Sequence, residues 1–209
     1  MEYKDIISNV RVYGVEESIV ASGYPMLTKP YSESEFESAC QDVINNSDSS
    51  HIKRSVKLAG TGTGEGHDNF LNGIITQFDL RLTIKAWTEA ERYHFFDFVS
   101  SMSTMHRLSK MDFDTSLCPY ITDSTKNELI TLLAKYNENP CEETKLALLY
   151  NCPTGLQLTA RMTTNYRQLK TIYKQRKNHL LPEWKAFCKW VETLPYAKEF
   201  ITFEKENNT

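Results

Sequence analysis

The chain has 209 residues, a formal net charge of −3 and a pI near 6, with 40% apolar and 24% charged residues. That is ordinary globular composition, enough for a single domain over residues 1–209, and it argues against bulk attraction to nucleic acid. No apolar run approaches the ~18 residues of a membrane span, and Met1-Glu2-Tyr3-Lys4-Asp5 lacks the basic-then-apolar start of a secretory signal.

In chain order, Val10 and Val12 mark a short strand that leads into an irregular or helical piece, broken by Tyr24-Pro25 and Lys29-Pro30. Ser32 with Glu35 reads as a capping box for a helix over about 33–46. A polar loop follows, and 52–58 fits either helix or strand. Residues 60–66 form a glycine-rich stretch. Phe78, Leu80, Leu82 and Ile84 then alternate with Gln77, Asp79, Arg81 and Thr83, the period of a half-buried strand.

Thr88 with Glu91 reads as a second capping box, opening a helix over about 89–99. Tyr93, Phe95, Phe96, Phe98 and Val99 make it apolar nearly all round, so the sequence predicts a buried helix. Its Glu89, Glu91, Arg92 and His94 would then need partners. Residues 100–109 are a polar segment. Asp123 is placed to cap a helix over 124–137, and a short helix over 142–150 precedes Cys152-Pro153. Leu156, Leu158, Ala160 and Met162 alternate as a second strand. Helices over about 164–178 and 182–194 close the chain, the last opened by Pro182 in its first turn.

Several chemistries lack their motifs. The glycine-rich stretch is followed by no Gly-Lys-Ser/Thr, so it is not a P-loop, and Glu65 breaks a dinucleotide fingerprint; a flexible loop is the expected reading. The histidines show no metalloenzyme spacing, no nucleophile elbow is present, and Asp112-Phe113-Asp114 reads as a turn. The five cysteines are odd in number and contain no C-x-x-C pair. Free thiols in a cytoplasmic protein are therefore expected, with no zinc site.

The penultimate helix carries the sharpest pattern. Asn165, Leu169, Ile172, Tyr173 and Arg176 share one face. A guanidinium at the end of an apolar stripe needs an anion, from the protein or from a ligand. Arg167, Lys170, Lys174 and Lys177 form a basic stripe, read as a solvated face.

Three blocks, in order, resemble the flavin-dependent thymidylate synthases. Gly66-His67-Asp68-Asn69-Phe70 is similar to the family's Gly-His-Glu-x-x-Phe. Glu89-Ala90-Glu91-Arg92-Tyr93-His94 followed by Ser101 to Arg107 resembles its Gln-x-x-Arg-His-Arg and later Ser-x-Arg-Tyr. Arg92 is kept, while Glu89, Tyr93 and His94 stand where the family has Gln, His and Arg. Asn165-Tyr166-Arg167-Gln168-Leu169 through Gln175-Arg176 resembles the family's Asn-x-Arg-x-Leu helix ending in Leu-Arg. His179 and Glu183-Trp184 are similar to its His-Ala-Gln-Trp-Glu, and the family's phosphate-binding Arg falls on Leu149.

The resemblance implies an α+β fold, a central antiparallel or mixed sheet flanked by helices, and an enzyme that binds FAD, dUMP and methylenetetrahydrofolate, with NADPH as reductant. It implies Arg176 as the catalytic residue at the pyrimidine. His67, Arg92, His94, Asn165 and Arg167 would bind the cofactor. Glu89, Arg92, Ser103, Arg107 and Arg176 would bind the substrate. It also implies a homotetramer with sites shared between subunits. Two further readings stand beside reductive methylation: a non-catalytic nucleotide- or flavin-binding relative, and a scaffold that kept only the fold.

Overall fold

The computed structural model describes residues 1–61 and 65–203. Among these, strands β1 (Ile7–Tyr13), β2 (Ile75–Thr83), β3 (Phe96–Ser101) and β4 (Gln157–Asn165) form an antiparallel sheet in the order β1-β2-β4-β3. The helices are α1 (Val15–Ala21), α2 (Glu33–Asn45), α3 (Ser50–Ala59), α4 (Ile84–Ala90), α5 (Thr104–Arg107), α6 (Phe113–Ser116), α7 (Asp123–Glu138), α8 (Glu142–Tyr150), α9 (Tyr166–Arg176), α10 (Pro182–Val191) and α11 (Ala197–Phe200).

Most elements follow from the local chemistry of their sequence. Ser32 and Glu35 make the expected reciprocal capping box of α2. The alternation in β2 puts Phe78, Leu80 and Leu82 wholly inside, while Gln77, Asp79 and Arg81 line a half-exposed polar face. On that face Arg161 of β4 pairs with Asp79 at 3.3 Å. The buried face packs on α10, which starts at Pro182 and turns Trp184, Phe187, Cys188 and Val191 inward at helical spacing. Phe78 meets the ring of Trp190 at 4.4 Å and that of Phe187 at 6.1 Å, so the aromatic core joins sheet to helix. A second apolar cluster, Leu108, Phe113, Leu129, Leu148 and Leu156, holds the α7–α8 hairpin under the sheet end. Asp112 caps α6 through the amide of Asp114, so the expected turn there is the start of a short helix.

The region after β2 corrects the sequence reading. The helix is α4, ending at Ala90, and its cap is Thr83, whose hydroxyl accepts from the Ala86 amide. Thr88 instead donates back to the Lys85 carbonyl, so the Thr88–Glu91 spacing is not a capping box. The chain then turns through Phe95, which has a positive φ of 57°, and runs on as β3. Phe96-Asp97-Phe98 is a strand pattern that its pairing with β4 selects. Because β3 is the outer strand, only Phe96 of it is buried and Phe98 and Val99 are exposed. Residues 52–58 lie inside α3. Thr122, not Asp123, caps α7.

At the opposite edge two glycines meet without clearance. Gly14 takes a positive φ of 72°, and a Cβ there would lie 2.6 Å from the Gly73 carbonyl oxygen; a Cβ on Gly73 would lie 2.4 Å from Ser18 Oγ. The five cysteines are free. Burial pushes the Cys188 thiol up to about 12 and that of Cys152 up to about 11, so both stay protonated and unreactive near neutrality.

Candidate functional site

Helix α9 is the spine of the candidate site. Asn165 caps its first turn by accepting from the Gln168 amide, and Leu169 and Ile172 bury one side completely. That anchoring fixes where the polar residues at each end can reach.

At the first end, Asp68 is buried under α9, with its side chain 6% exposed. Lys170 Nζ donates to Asp68 Oδ2 at 2.9 Å and to the Ala59 carbonyl at 2.8 Å. Arg167 Nε lies 3.4 Å from Asp68 Oδ1, close enough for attraction but not aligned as a hydrogen bond. Oδ1 is thus buried with no hydrogen-bond donor among the described residues. His67, beside Asp68, is exposed, and Arg167 keeps more than a third of its side chain in solvent. The basic stripe is therefore not simply a solvated face: two of its members turn to a buried acid. The glycine-rich stretch expected to be a flexible loop falls partly on residues 62–64, which lie outside the described residues.

At the second end, Arg176 finds its anion within the chain. Its Nη1 donates to Glu89 Oε2 at 2.8 Å and its Nε to the Tyr93 hydroxyl at 2.7 Å. The rings of Trp184 and Tyr93 lie 4.9 and 5.5 Å from the guanidinium carbon. Trp184 Nε1 also donates to Glu89 Oε2 at 3.1 Å, and Lys85 Nζ reaches Glu89 Oε1 at 2.9 Å. His179 accepts the Leu181 amide at Nδ1, which leaves Nε2 as the N–H that faces Glu89 Oε2 at 3.3 Å. Burial raises the Glu89 pKa, but the bonds from Lys85 and Trp184 and the charge of Lys85 outweigh it and hold the carboxyl below its usual range.

The other expected site residues are not gathered there. The Arg92 and His94 side chains are exposed on the turn between α4 and β3, and neither bonds a described residue. Arg92 therefore takes no part in the Arg176–Glu89 cluster among the described residues. Ser103 precedes α5 without capping it, and Arg107 is exposed at that helix's end. A cavity of about 210 Å³ opens on another flank of α4, lined by Trp87, Glu91, Phe98 and Met102 among others, and none of the Glu89 cluster lines it. A wider one of about 490 Å³ lies on α2 around Tyr31, Asp42 and His51, away from all three sequence blocks. Leu149 packs against the second apolar cluster, so no cation stands at that position.

Sequence reasoning missed Asp68, Lys170, Tyr93, Trp184 and Lys85 as members of these clusters. One signal was present: Arg167 and Lys170 stand one turn apart, and a cation pair beside an apolar stripe calls for an acid.

The architecture has solved counterparts. A flavin-dependent thymidylate synthase ThyX from Helicobacter pylori, in complex with FAD and dUMP, superposes with a TM-score of 0.67 at 14% identity. The match covers 93% of this chain and 97% of that one. The fold is that of the flavin-dependent thymidylate synthases.

A second structure of the Helicobacter pylori enzyme with FAD and dUMP gives 0.66 at 15% identity, with the same coverage. A UMP/dUMP methylase, PolB from Streptomyces cacaoi, bound with 5-Br UMP, gives 0.55 at 11% identity over 89% of this chain and 88% of its own. No protein-family model matches the chain, and no curated protein matches it by sequence. The likeness to thymidylate synthases thus resides in the path of the backbone, as the three spaced blocks imply. No helix among the described residues is long and apolar enough to cross a membrane.

Proposed function

We propose that this single-domain protein binds a flavin and a pyrimidine nucleotide along α9 and carries out reductive methylation of dUMP or a related pyrimidine nucleotide. One observation carries the reading: three sequence blocks far apart in the chain converge on the two ends of α9. Asp68 of the first block meets Arg167 and Lys170, and Glu89 and Tyr93 of the second meet Arg176. Among structures that share this backbone, two hold FAD and dUMP and another holds 5-Br UMP.

A flavin suits the first end. Arg167, Lys170, His67 and the Asn165 amide N–H groups are donors for its carbonyl and phosphate oxygens, and the buried Asp68 Oδ1 is an acceptor in want of an N–H. Such a flavin, once reduced by NADPH, would supply hydride, and methylenetetrahydrofolate would supply the one-carbon unit. The protein's own part is positioning. Arg176 presents Nη2 to the pyrimidine and stabilises charge that develops on it. Arg92 and His94 on the adjoining turn, with Ser103 and Arg107, form the polar side that takes the rest of the nucleotide. These four groups complete the site across a subunit boundary in a homotetramer.

Purified protein with an absorbance band at about 450 nm, and NADPH oxidation that depends on dUMP, supports this reading. Arg176→Ala then lowers turnover by roughly 100-fold or more, and Arg92→Ala weakens dUMP binding. Protein that neither carries nor takes up FAD rules it out. A second reading, a flavin- or nucleotide-binding relative without turnover, is favoured by one observation: Glu89 already occupies Arg176. FAD binding without dUMP-dependent oxidation selects it.

A further inference from the structure

Glu89 is unused in that reading, and its surroundings say what it does. A carboxylate offers about four acceptor positions. Four groups of the same chain face them: Lys85 at Oε1, and Arg176, Trp184 and His179 at Oε2. Oε2, the oxygen that meets Arg176, therefore has no vacant acceptor with which to read a ligand, while Oε1 accepts from Lys85. Its effect is on Arg176.

Arg176 spends Nη1 on Glu89 and Nε on Tyr93, and aromatic rings lie near its guanidinium carbon. Nη2 forms no bond with a described residue. The two side chains are 14% and 12% exposed, so water screens the contact weakly. Lys85 is 56% exposed, and its charge is answered largely by solvent. A second anion arriving at Nη2 would meet a guanidinium whose charge is already matched, with a fixed carboxylate alongside. A neutral carbonyl oxygen would meet a free N–H donor and no repulsion.

We propose that Glu89 is a specificity-determining residue that closes the Arg176 site to anionic groups and leaves it open to the neutral carbonyl oxygen of a ring. Resting on the nucleotide reading above, that ring is the keto form of a pyrimidine base, with the phosphate held elsewhere.

The test uses the full chain, with ¹H–¹⁵N spectra that follow Arg176 Nε–H and Trp184 Nε1–H, and with acetate and dUMP as probes at constant ionic strength. In the wild type, acetate leaves both signals in place and dUMP moves them saturably. In Glu89→Gln, acetate moves the Arg176 signal saturably, with an affinity at least about tenfold above the wild type. Saturable acetate binding at Arg176 in the wild type overturns the proposal, whether or not the variant folds, and so does an unchanged acetate response in a folded Glu89→Gln. If dUMP moves neither signal while acetate still distinguishes the two proteins, the nucleotide reading fails and the assignment of Glu89 stands.

Discussion

The two ends of α9 solve one problem in opposite ways. At the first end a single buried carboxylate, Asp68, faces two cations and still has an oxygen with no hydrogen-bond donor among the described residues. At the second a single carboxylate, Glu89, accepts hydrogen bonds from Lys85, Arg176 and Trp184 and faces His179 as well. The first end keeps excess positive charge and an unanswered acceptor, the marks of a place that a ligand completes. The second is complete within the chain and offers one donor edge. The same helix thus carries one open and one nearly closed polar cluster, and its apolar stripe keeps them apart.

Substitutions can break this contrast, beginning with the largest effect. Asp68→Ala leaves Lys170, only 15% exposed, without its acid; loss of about 3–5 kcal/mol of folding stability is expected in denaturant titration. Glu89→Gln keeps the acceptor oxygen but removes the charge, and about 1.5–3 kcal/mol is expected to go. The same variant carries the pH dependence. Glu89 has a depressed pKa in the folded chain, so its stabilisation is present above the usual carboxylate range and is lost as the pH falls through the folded value. The melting temperature of the wild type should therefore fall more steeply on acidification than that of Glu89→Gln. Equal slopes would show that Glu89 is no more stabilised folded than unfolded.

Arg167→Ala is expected to change stability by less than about 1 kcal/mol, because its contact with Asp68 is long and partly solvated. It should still lower FAD affinity by roughly tenfold, in fluorescence titration, if the first end holds the flavin. Lys85→Ala should be the mildest, within about 0.5 kcal/mol, as an exposed pair at i,i+4 spacing. A large loss there would mean that Lys85, and not Arg176, is what holds Glu89.

Much of the scaffold was legible because its signals are local. Ser32 with Glu35, the alternation in β2 and Pro182 at the start of α10 each act within a few residues. The segment after β2 was not legible, because Thr88 and Glu91 imitate a cap while the true cap lies five residues earlier at Thr83. What makes Phe96–Ser101 a strand is β4, more than fifty residues away. The site divides in the same manner. Helical spacing on α9 revealed that Arg176 would need an anion, but Glu89 lies 87 residues earlier, and only folding brings the two together. Asp68 stood next to His67 in a block already singled out, yet its burial depends on α9 packing over it.

The glycine crossing beside β1 has a bearing on how the sheet's far edge is held. Gly14 and Gly73 sit where two backbone segments touch with no room for a methyl group. Alanine at Gly14 must wedge the α1 turn away from the segment that feeds β2, whereas alanine at Gly73 first displaces the Ser18 hydroxyl. The pairing of β1 with β2 begins just there, at Tyr13 and Ile75. The outer strand is thus fastened at its end by a missing side chain, since a methyl group on Gly14 would stand where the Gly73 carbonyl now lies.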